Sequence, residues 1–252
     1  MKLYVLNSGT LTLPDEDPNA EGCDEYFKAV IPVPVYLLEH PTAGYVLIDT
    51  GVEPGLLAPF MLGALGYDPA RRIDLQLKSA GIEASEVRHL IISHMHMDHF
   101  CQIPWFRDAK MHIRKREWEG AAAGGTGYMP LEAEIMKSFS GIDMDLIPDV
   151  PEYDIFGDGS VVSIDTRGHT PGHQSLLIRL EKTGDVLLTF DACNTEKFFG
   201  SDKYFGKHSW DFGECHRAVQ TVLDYKRRGA KIFFGHDAYQ FKTLKKFPEY
   251  YE

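Results

Sequence analysis

The sequence predicts one layered domain in which short buried strands alternate with a few amphipathic helices. Three observations carry that expectation. A chain of 252 residues can bury a large core; two domains would fit, but one large α/β or layered domain is ordinary at this length. Short apolar runs such as Tyr45-Val46-Leu47-Ile48, Leu90-Ile91-Ile92 and Ile232-Phe233-Phe234 stop at Gly, Ser or Asp, as buried strands do. Several of these runs end on residues that bind metal ions: the histidines from His94, then His169, Asp191 and His236.

Residues 2–7 read as the first strand, and the polar stretch from Pro14 to Glu25 is placed to rim a pocket. Val33 to Leu38 is a strand whose prolines sit at its start, where a missing N–H is tolerated. Gly44 turns the chain into Tyr45–Ile48, completing a hairpin that runs into Asp49-Thr50-Gly51. A carboxylate at the end of a buried strand needs a partner. Asp49 either orients a metal-bound imidazole or caps the local turn. Asp68-Pro69 has the form of an N-cap followed by proline at the first helical position, Ile73, Leu77 and Ala80 recur at helical spacing, and Gly81 ends the helix. Val87–Ile92 and Ala109–Ile113 are strands, whereas 115–150 reads as less regular, a pocket wall or a surface excursion around Gly124-Gly125-Thr126-Gly127. Val161–Asp165 leads into Gly168-His169-Thr170-Pro171-Gly172-His173, a rigid loop suited to presenting a ligand. Ser175–Leu180 and Val186–Phe190 form a hairpin ending at Asp191. Cys215, Ala218, Val219, Val222 and Leu223 line one face of a helix that stops at Gly229, and the strand Lys231–Phe234 ends in Gly235-His236-Asp237.

The chemistry concentrates in Ser93-His94-Met95-His96-Met97-Asp98-His99. Neutral imidazole is the commonest metal ligand, and carboxylates complete such sites. In an irregular loop, residues two apart can face one point, so His94 and His96 can grip one ion while Asp98 and His99 face a second. Four ligand-type residues this close set the segment apart from a solvated polar loop. A pair of ions needs more ligands than that, and His169, Asp191 and His236 supply them.

Composition narrows the partners. Lysine plus arginine total 26 against 37 acids, a net charge of −11, which argues against a nucleic-acid backbone and leaves a small-molecule substrate. No apolar run is long enough to span a bilayer. Met1 to Leu6 looks like a strand rather than an export segment, and Cys23, Cys101, Cys193 and Cys215 show no paired spacing, so a reduced, cytoplasmic setting is expected. Cys101 and Cys193, each two residues after a candidate ligand, are expected to pack beneath the site.

The signature His94-x-His96-x-Asp98-His99, with Gly168 to His173, Asp191 and Gly235-His236-Asp237, resembles the metallo-β-lactamase superfamily in order and spacing over essentially the whole chain. Thr170 to Leu176, Leu187 to Ala192 and Phe247-Pro248-Glu249-Tyr250 are similar to quorum-quenching N-acyl-homoserine lactone lactonases. The resemblance implies a single α+β domain over 1–252, a four-layer αββα sandwich with a dinuclear site at one edge and pocket-lining segments near 14–30, 115–150 and 195–213. It also implies a partition of ligands: His94, His96 and His169 on one ion, Asp98, His99 and His236 on the other, Asp191 between them, and His173 holding its loop. Two positions depart from the lactonases. Asn194 stands where they carry a tyrosine, and Phe100-Cys101-Gln102 follows the signature where the superfamily usually has small residues. An amide can donate a hydrogen bond but cannot supply a proton as a phenol can, so Tyr128 or Tyr204 is a candidate replacement.

The expected function is a hydrolase that opens a lactone or carboxylic ester, N-acyl-homoserine lactone first, using two divalent ions, zinc or else iron, manganese or cobalt. A hydroxide shared by the ions attacks the carbonyl, and Asp98 carries a proton to the leaving oxygen. Asn194 is a candidate for contact with the substrate. The alternatives are another hydrolase of the superfamily, acting on a thioester, phosphodiester or β-lactam, or a metal-binding or redox protein without turnover. For thioesters, Lys197, Lys203 and Lys207 are the basic residues available. Oligomeric state is not readable.

Overall fold

The computed structural model describes residues 1–12, 30–56, 65–125, 127–128, 135–196 and 209–252. The stretch Pro14–Glu25, most of 195–213, and Cys23, Lys197, Lys203, Tyr204 and Lys207 lie outside the described residues. Two mixed sheets carry the strands. The first takes β1 (Lys2–Leu11), β2 (Ile31–His40), β3 (Gly44–Ile48), the short β4 (Leu65–Gly66), β5 (Val87–Ile91), β6 (Lys110–Arg114) and β7 (Met144–Ile147). The second takes β8 (Glu152–Asp154), β9 (Val161–Asp165), β10 (Gln174–Leu180), β11 (Gly184–Leu188) and β12 (Lys231–Phe233), while β13 (Tyr250–Tyr251) returns to pair with β1.

Alternate residues of the central strands enter different layers, because successive side chains of a strand point to opposite faces. Val46 and Ile48 of β3, with Leu176, Ile178, Val186 and Leu188 of β10 and β11, fill the space between the sheets. Leu47 turns the other way, toward helices α1 (Ile73–Ser79), α2 (Met97–Phe100) and α3 (Lys115–Ala123). Leu177 and Leu187 face α4 (Phe212–Arg227), whose Cys215, Val219 and Val222 are buried against them. A short α5 (Ala238–Thr243) follows β12. Helix, sheet, sheet, helix is thus the order of layers, and burial on both faces explains why the strands read as continuous apolar runs.

Three local expectations need correction. Asp68 caps a 3₁₀ turn at Pro69–Arg71, accepting from the Ala70 N–H, and α1 starts only at Ile73. Residues 115–150 contain α3 and β7 rather than an irregular excursion. The helix was hidden because its two buried residues are Glu117 and Ala121, which leave no apolar stripe. The His cluster is irregular only as far as His96, after which Met97–Phe100 forms one helical turn.

The topology sets where ligands collect. β3, β5 and β6 run parallel, so β3 and β5 end at the same edge. β11 and β12 are parallel, and β9 runs in the same direction because both flank the antiparallel β10. The loops after β5, β9, β11 and β12 therefore meet where the two sheets come together. Gln174 joins the edges, its backbone N–H donating to Ser93 O at 3.1 Å and its side chain to Ile92 O at 2.7 Å.

Candidate metal centre

Each predicted ligand reaches one small space. Ligand atoms of His94, His96 and His169 lie within 4.8 Å of one another, as do those of Asp98, His99 and His236, and those of His94, His99 and Asp191. Asp191 stands between the two trios. Its Oδ1 lies 3.2 Å from Nε2 of both His99 and His236, while its Oδ2 lies 3.3 Å from His169 Nε2. Asp98 Oδ2 is 3.4 Å from His99 Nε2 and 3.5 Å from His236 Nε2. A tetrahedron with metal–nitrogen or metal–oxygen bonds of about 2.0–2.1 Å has edges of about 3.3–3.4 Å, so these separations fit donors sharing cations.

The far sides of four of the five rings are held by the protein. His94 Nδ1 is 3.0 Å from Ser93 Oγ, His99 Nδ1 is 2.8 Å from Asp49 Oδ2, and His236 Nδ1 is 2.8 Å from Pro32 O. His96 donates through Nε2 to Gly127 O at 2.7 Å, which turns Nδ1 toward His169 Nε2, 2.9 Å away. Fixing one ring nitrogen this way sets the tautomer and aims the other. The test of fit is what remains: the buried Nε2 atoms of His94 and His99 and the Oδ1 of Asp191 have no hydrogen-bond partner. Buried polar atoms are rarely left so. Neutral imidazole nitrogens and carboxylate oxygens converging with unspent lone pairs suit divalent cations.

Electrostatics separate the trios. Burial, with His99 and the other imidazoles nearby, holds His94 well below the ordinary histidine range, and burial does the same to His169 against the pull of Asp191. Burial opposes charge on His99 too, but Asp98, Asp191 and Asp49 outweigh it and hold that ring well above its ordinary value. His236 is raised despite burial by Asp191 and Asp98. Burial would push both carboxyls up, yet His99 and His236 keep Asp98 and Asp191 low.

The backbone is unusual where the carboxylates leave their strands. Asp49 has φ 56° and Phe190, just before Asp191, has φ 47°. Side chains other than glycine seldom adopt this left-handed region, and such outliers gather at functional sites. Gly235 makes room for the second: a Cβ there would overlap the Phe190 carbonyl.

Asp49 holds His99 rather than capping its own turn, and its carboxylate also accepts from Ser93 N at 2.7 Å and Ser93 Oγ at 2.8 Å on the neighbouring loop. His173 links Thr166 Oγ1, at 2.9 Å from its Nδ1, to the Asp191 N–H, which donates to its Nε2 at 3.2 Å. Cys101 and Cys193 are buried in the cores under the site. Asn194 follows on the same segment; its backbone O accepts from His236 N at 3.0 Å, and its buried Oδ1 has no partner. The Tyr128 hydroxyl faces the Glu117 carbonyl at 3.4 Å, its ring 6.2 Å from that of His96. Two contributors escaped sequence reasoning, Ser93 and Glu117. Ser93 precedes the signature directly, a signal that was available. Glu117, wholly buried, accepts from Met95 N, Thr170 Oγ1 and Gly172 N. Burial pushes its carboxyl up, against the hydrogen bonds from Met95 and Thr170.

Known proteins resemble this chain along its whole length. N-acyl homoserine lactonase AttM of Azorhizobium caulinodans is 32% identical, the alignment covering 100% of this chain and 99% of that protein. N-acyl homoserine lactonase AiiA of Bacillus thuringiensis subsp. kurstaki is also 32% identical, with 99% and 98% covered. A crystal structure of an N-acyl homoserine lactone hydrolase, with N-hexanoyl-L-homoserine bound at its catalytic metal center, superposes with a TM-score of 0.82 at 28% identity, covering 99% of this chain and 98% of that one. A sequence profile described as the Metallo-beta-lactamase superfamily matches residues 29–196, the segment running from β2 through Asp191. With relatives aligned end to end and the same two-sheet fold, the chain belongs to the metallo-β-lactamase superfamily.

Proposed function

We propose that this protein is a dinuclear metallohydrolase that opens the ring of N-acyl-homoserine lactones. One observation carries the dinuclear part: the two oxygens of Asp191 face different trios, Oδ1 toward His99 and His236 and Oδ2 toward His169. In this reading His94, His96 and His169 would hold one divalent ion, Asp98, His99 and His236 would hold the other, and Asp191 would be shared between them. Zinc is the first choice for a donor set of imidazoles and carboxylates, with iron, manganese and cobalt also suited. Such ions supply Lewis acidity toward a carbonyl oxygen and lower the pKa of water from about 16 toward neutrality.

The side chains contribute the rest. Asp98, kept ionised beside two imidazoles, takes the proton released as water adds to the lactone carbonyl carbon. When the ring carbon–oxygen bond breaks, Asp98 returns that proton to the departing alkoxide, giving the open N-acyl-homoserine. Asn194 offers an amide hydrogen bond to the substrate where lactonases carry a tyrosine. The whole chain of 252 residues is taken as one catalytic domain.

Support for the substrate comes from relatives named as lactonases along their full length. Asn194 favours one second reading, hydrolysis of a different ester, thioester or phosphodiester at the same centre. Metal analysis and a substrate panel separate them. About two ions per chain and ring opening of a medium-chain acyl-homoserine lactone are expected. One ion or none in an active preparation sinks the dinuclear assignment, and turnover confined to thioesters or phosphodiesters sinks the lactone.

A further inference from the structure

Glu117 is a fully buried glutamate on α3 that belongs to neither trio. Its Oε1 accepts from the Met95 N–H at 2.7 Å, between His94 and His96. Its Oε2 accepts from Thr170 Oγ1 at 2.7 Å and from the Gly172 N–H at 2.9 Å, directly after His169. All three partners donate, so an ionised carboxylate satisfies every one. A buried charge survives only with such compensation. The contact is close-fitting, because a Cβ on Gly172 would overlap the Glu117 backbone.

From this juxtaposition we propose that Glu117 is a positioning residue for the His94–His96–His169 ion site, one carboxylate that holds the separation between two ligand-bearing loops. The proposal rests on the metal-site reading above. Gln174 also joins these loops, but at Ile92 and Ser93, upstream of the histidines. Glu117 alone among the described hydrogen bonds reaches the backbone between His94 and His96 and the loop behind His169. No peptide N–H of an irregular loop can set its own distance to another strand's loop. A two-oxygen acceptor on a separate helix can.

Glu117→Gln keeps the shape but turns an N–H toward one of the donors. Thr170→Val keeps the volume and removes one donor from the opposite loop. Chelator competition on metal-loaded protein, the visible spectrum of the cobalt-substituted form and unfolding of the metal-free chain are measured together. Glu117→Gln is expected to weaken one ion of the pair by about 10- to 100-fold, the size seen when outer partners of ligands are lost. Its cobalt spectrum should change, and Thr170→Val should move both readouts the same way by less. In the double variant the losses should fall short of additive, because both act through one carboxylate. Parental affinities and an unchanged cobalt spectrum, even with a less stable metal-free chain, overturn the proposal and leave Glu117 a core residue. If Glu117→Gln does not fold, Thr170→Val decides by the same readouts. A parent that binds one ion sinks the dinuclear reading while Glu117 is still judged on that ion, and a parent that binds none sinks both.

Discussion

Among the described residues, histidines gather in two clusters, and one of them has the donor set of a metal centre. At the site, five rings and two carboxylates converge, and buried nitrogens such as His94 Nε2 and His99 Nε2 have no hydrogen-bond partner. Elsewhere between the sheets, His40, His89 and His112 surround Phe156, with ring centroids 4.8, 5.1 and 5.9 Å from its own. There both nitrogens of His40 and His112, and Nδ1 of His89, are engaged. His40 Nε2 meets Ser160 Oγ at 2.8 Å, and its Nδ1 accepts from the N–H groups of Thr42 and Ala43. His112 Nδ1 lies 3.0 Å from Asp145, and its Nε2 lies 2.9 Å from His89 Nδ1. Density of histidine is therefore a poor guide by itself. Buried lone pairs aimed at a common point, with carboxylates among them, are what distinguish a ligand set from a satisfied core cluster.

Removing the bridge should break the first cluster most severely. Asp191→Ala is expected to lose or loosen metal and to lower kcat/KM by on the order of 10³-fold or more, about 4 kcal/mol of transition-state stabilisation. Metal analysis beside lactone kinetics checks this, and full activity with both ions retained would refute the bridging role. A smaller loss should follow Asp49→Asn, which keeps an acceptor for the Ser93 N–H but no longer offers His99 Nδ1 a carboxylate. Affinity for the ion that His99 holds should drop by about 10- to 100-fold in chelator competition. Parental affinity would mean that Ser93 suffices to orient the ring.

Asn194→Ala should cost less than about tenfold in kcat/KM, below about 1.4 kcal/mol, if the metal ligands carry ring opening. Asn194→Tyr should raise lactone turnover where the ring fits. Tyr128→Phe should change little, since that hydroxyl already faces the Glu117 carbonyl. A large loss in Tyr128→Phe would instead make it the substitute phenol.

The smallest effect on metal is expected from the second cluster. His89→Gln should leave two-ion binding unchanged, and its signature should be in stability against pH. Burial, helped by His112, Lys110 and His40, lowers His89 to about 4 from an ordinary 6.5. The unfolded chain then takes up a proton near pH 6.5 that the folded chain declines until about pH 4. The contribution is present above pH 6.5 and is lost as pH falls through that window. Denaturant unfolding between pH 4 and 7 should show a shallower decline for His89→Gln than for the parent. Equal slopes would place the titration on other groups, and a lost ion would erase the distinction between the clusters.

The seven candidate ligands were readable because each lies in a short local pattern: a signature of alternating ligand types, or a His or Asp directly after an apolar run. Local spacing and strand ends survive in one dimension. Glu117 did not, because its partners Met95, Thr170 and Gly172 lie far along the chain and its helix has no apolar stripe to betray it. The His40–His89–His112 cluster was invisible for the same reason, its members coming from β2, β5 and β6.

The chain by itself determined which side chains could bind metal and, through the continuous apolar runs that stop at Gly, Ser or Asp, that its strands would be buried, while the order of layers followed from the family resemblance. Only the tertiary structure decided which nitrogens would be spent. Parallel pairing of β3 with β5 and of β11 with β12 brings the ends of strands from two sheets to one edge. There Ser93, Asp49, Gly127 O and Pro32 O each take one nitrogen of a ring and leave the other pointing inward. A hydrogen bond reaches only about 3 Å, so which partner a histidine finds depends on what the fold sets beside it.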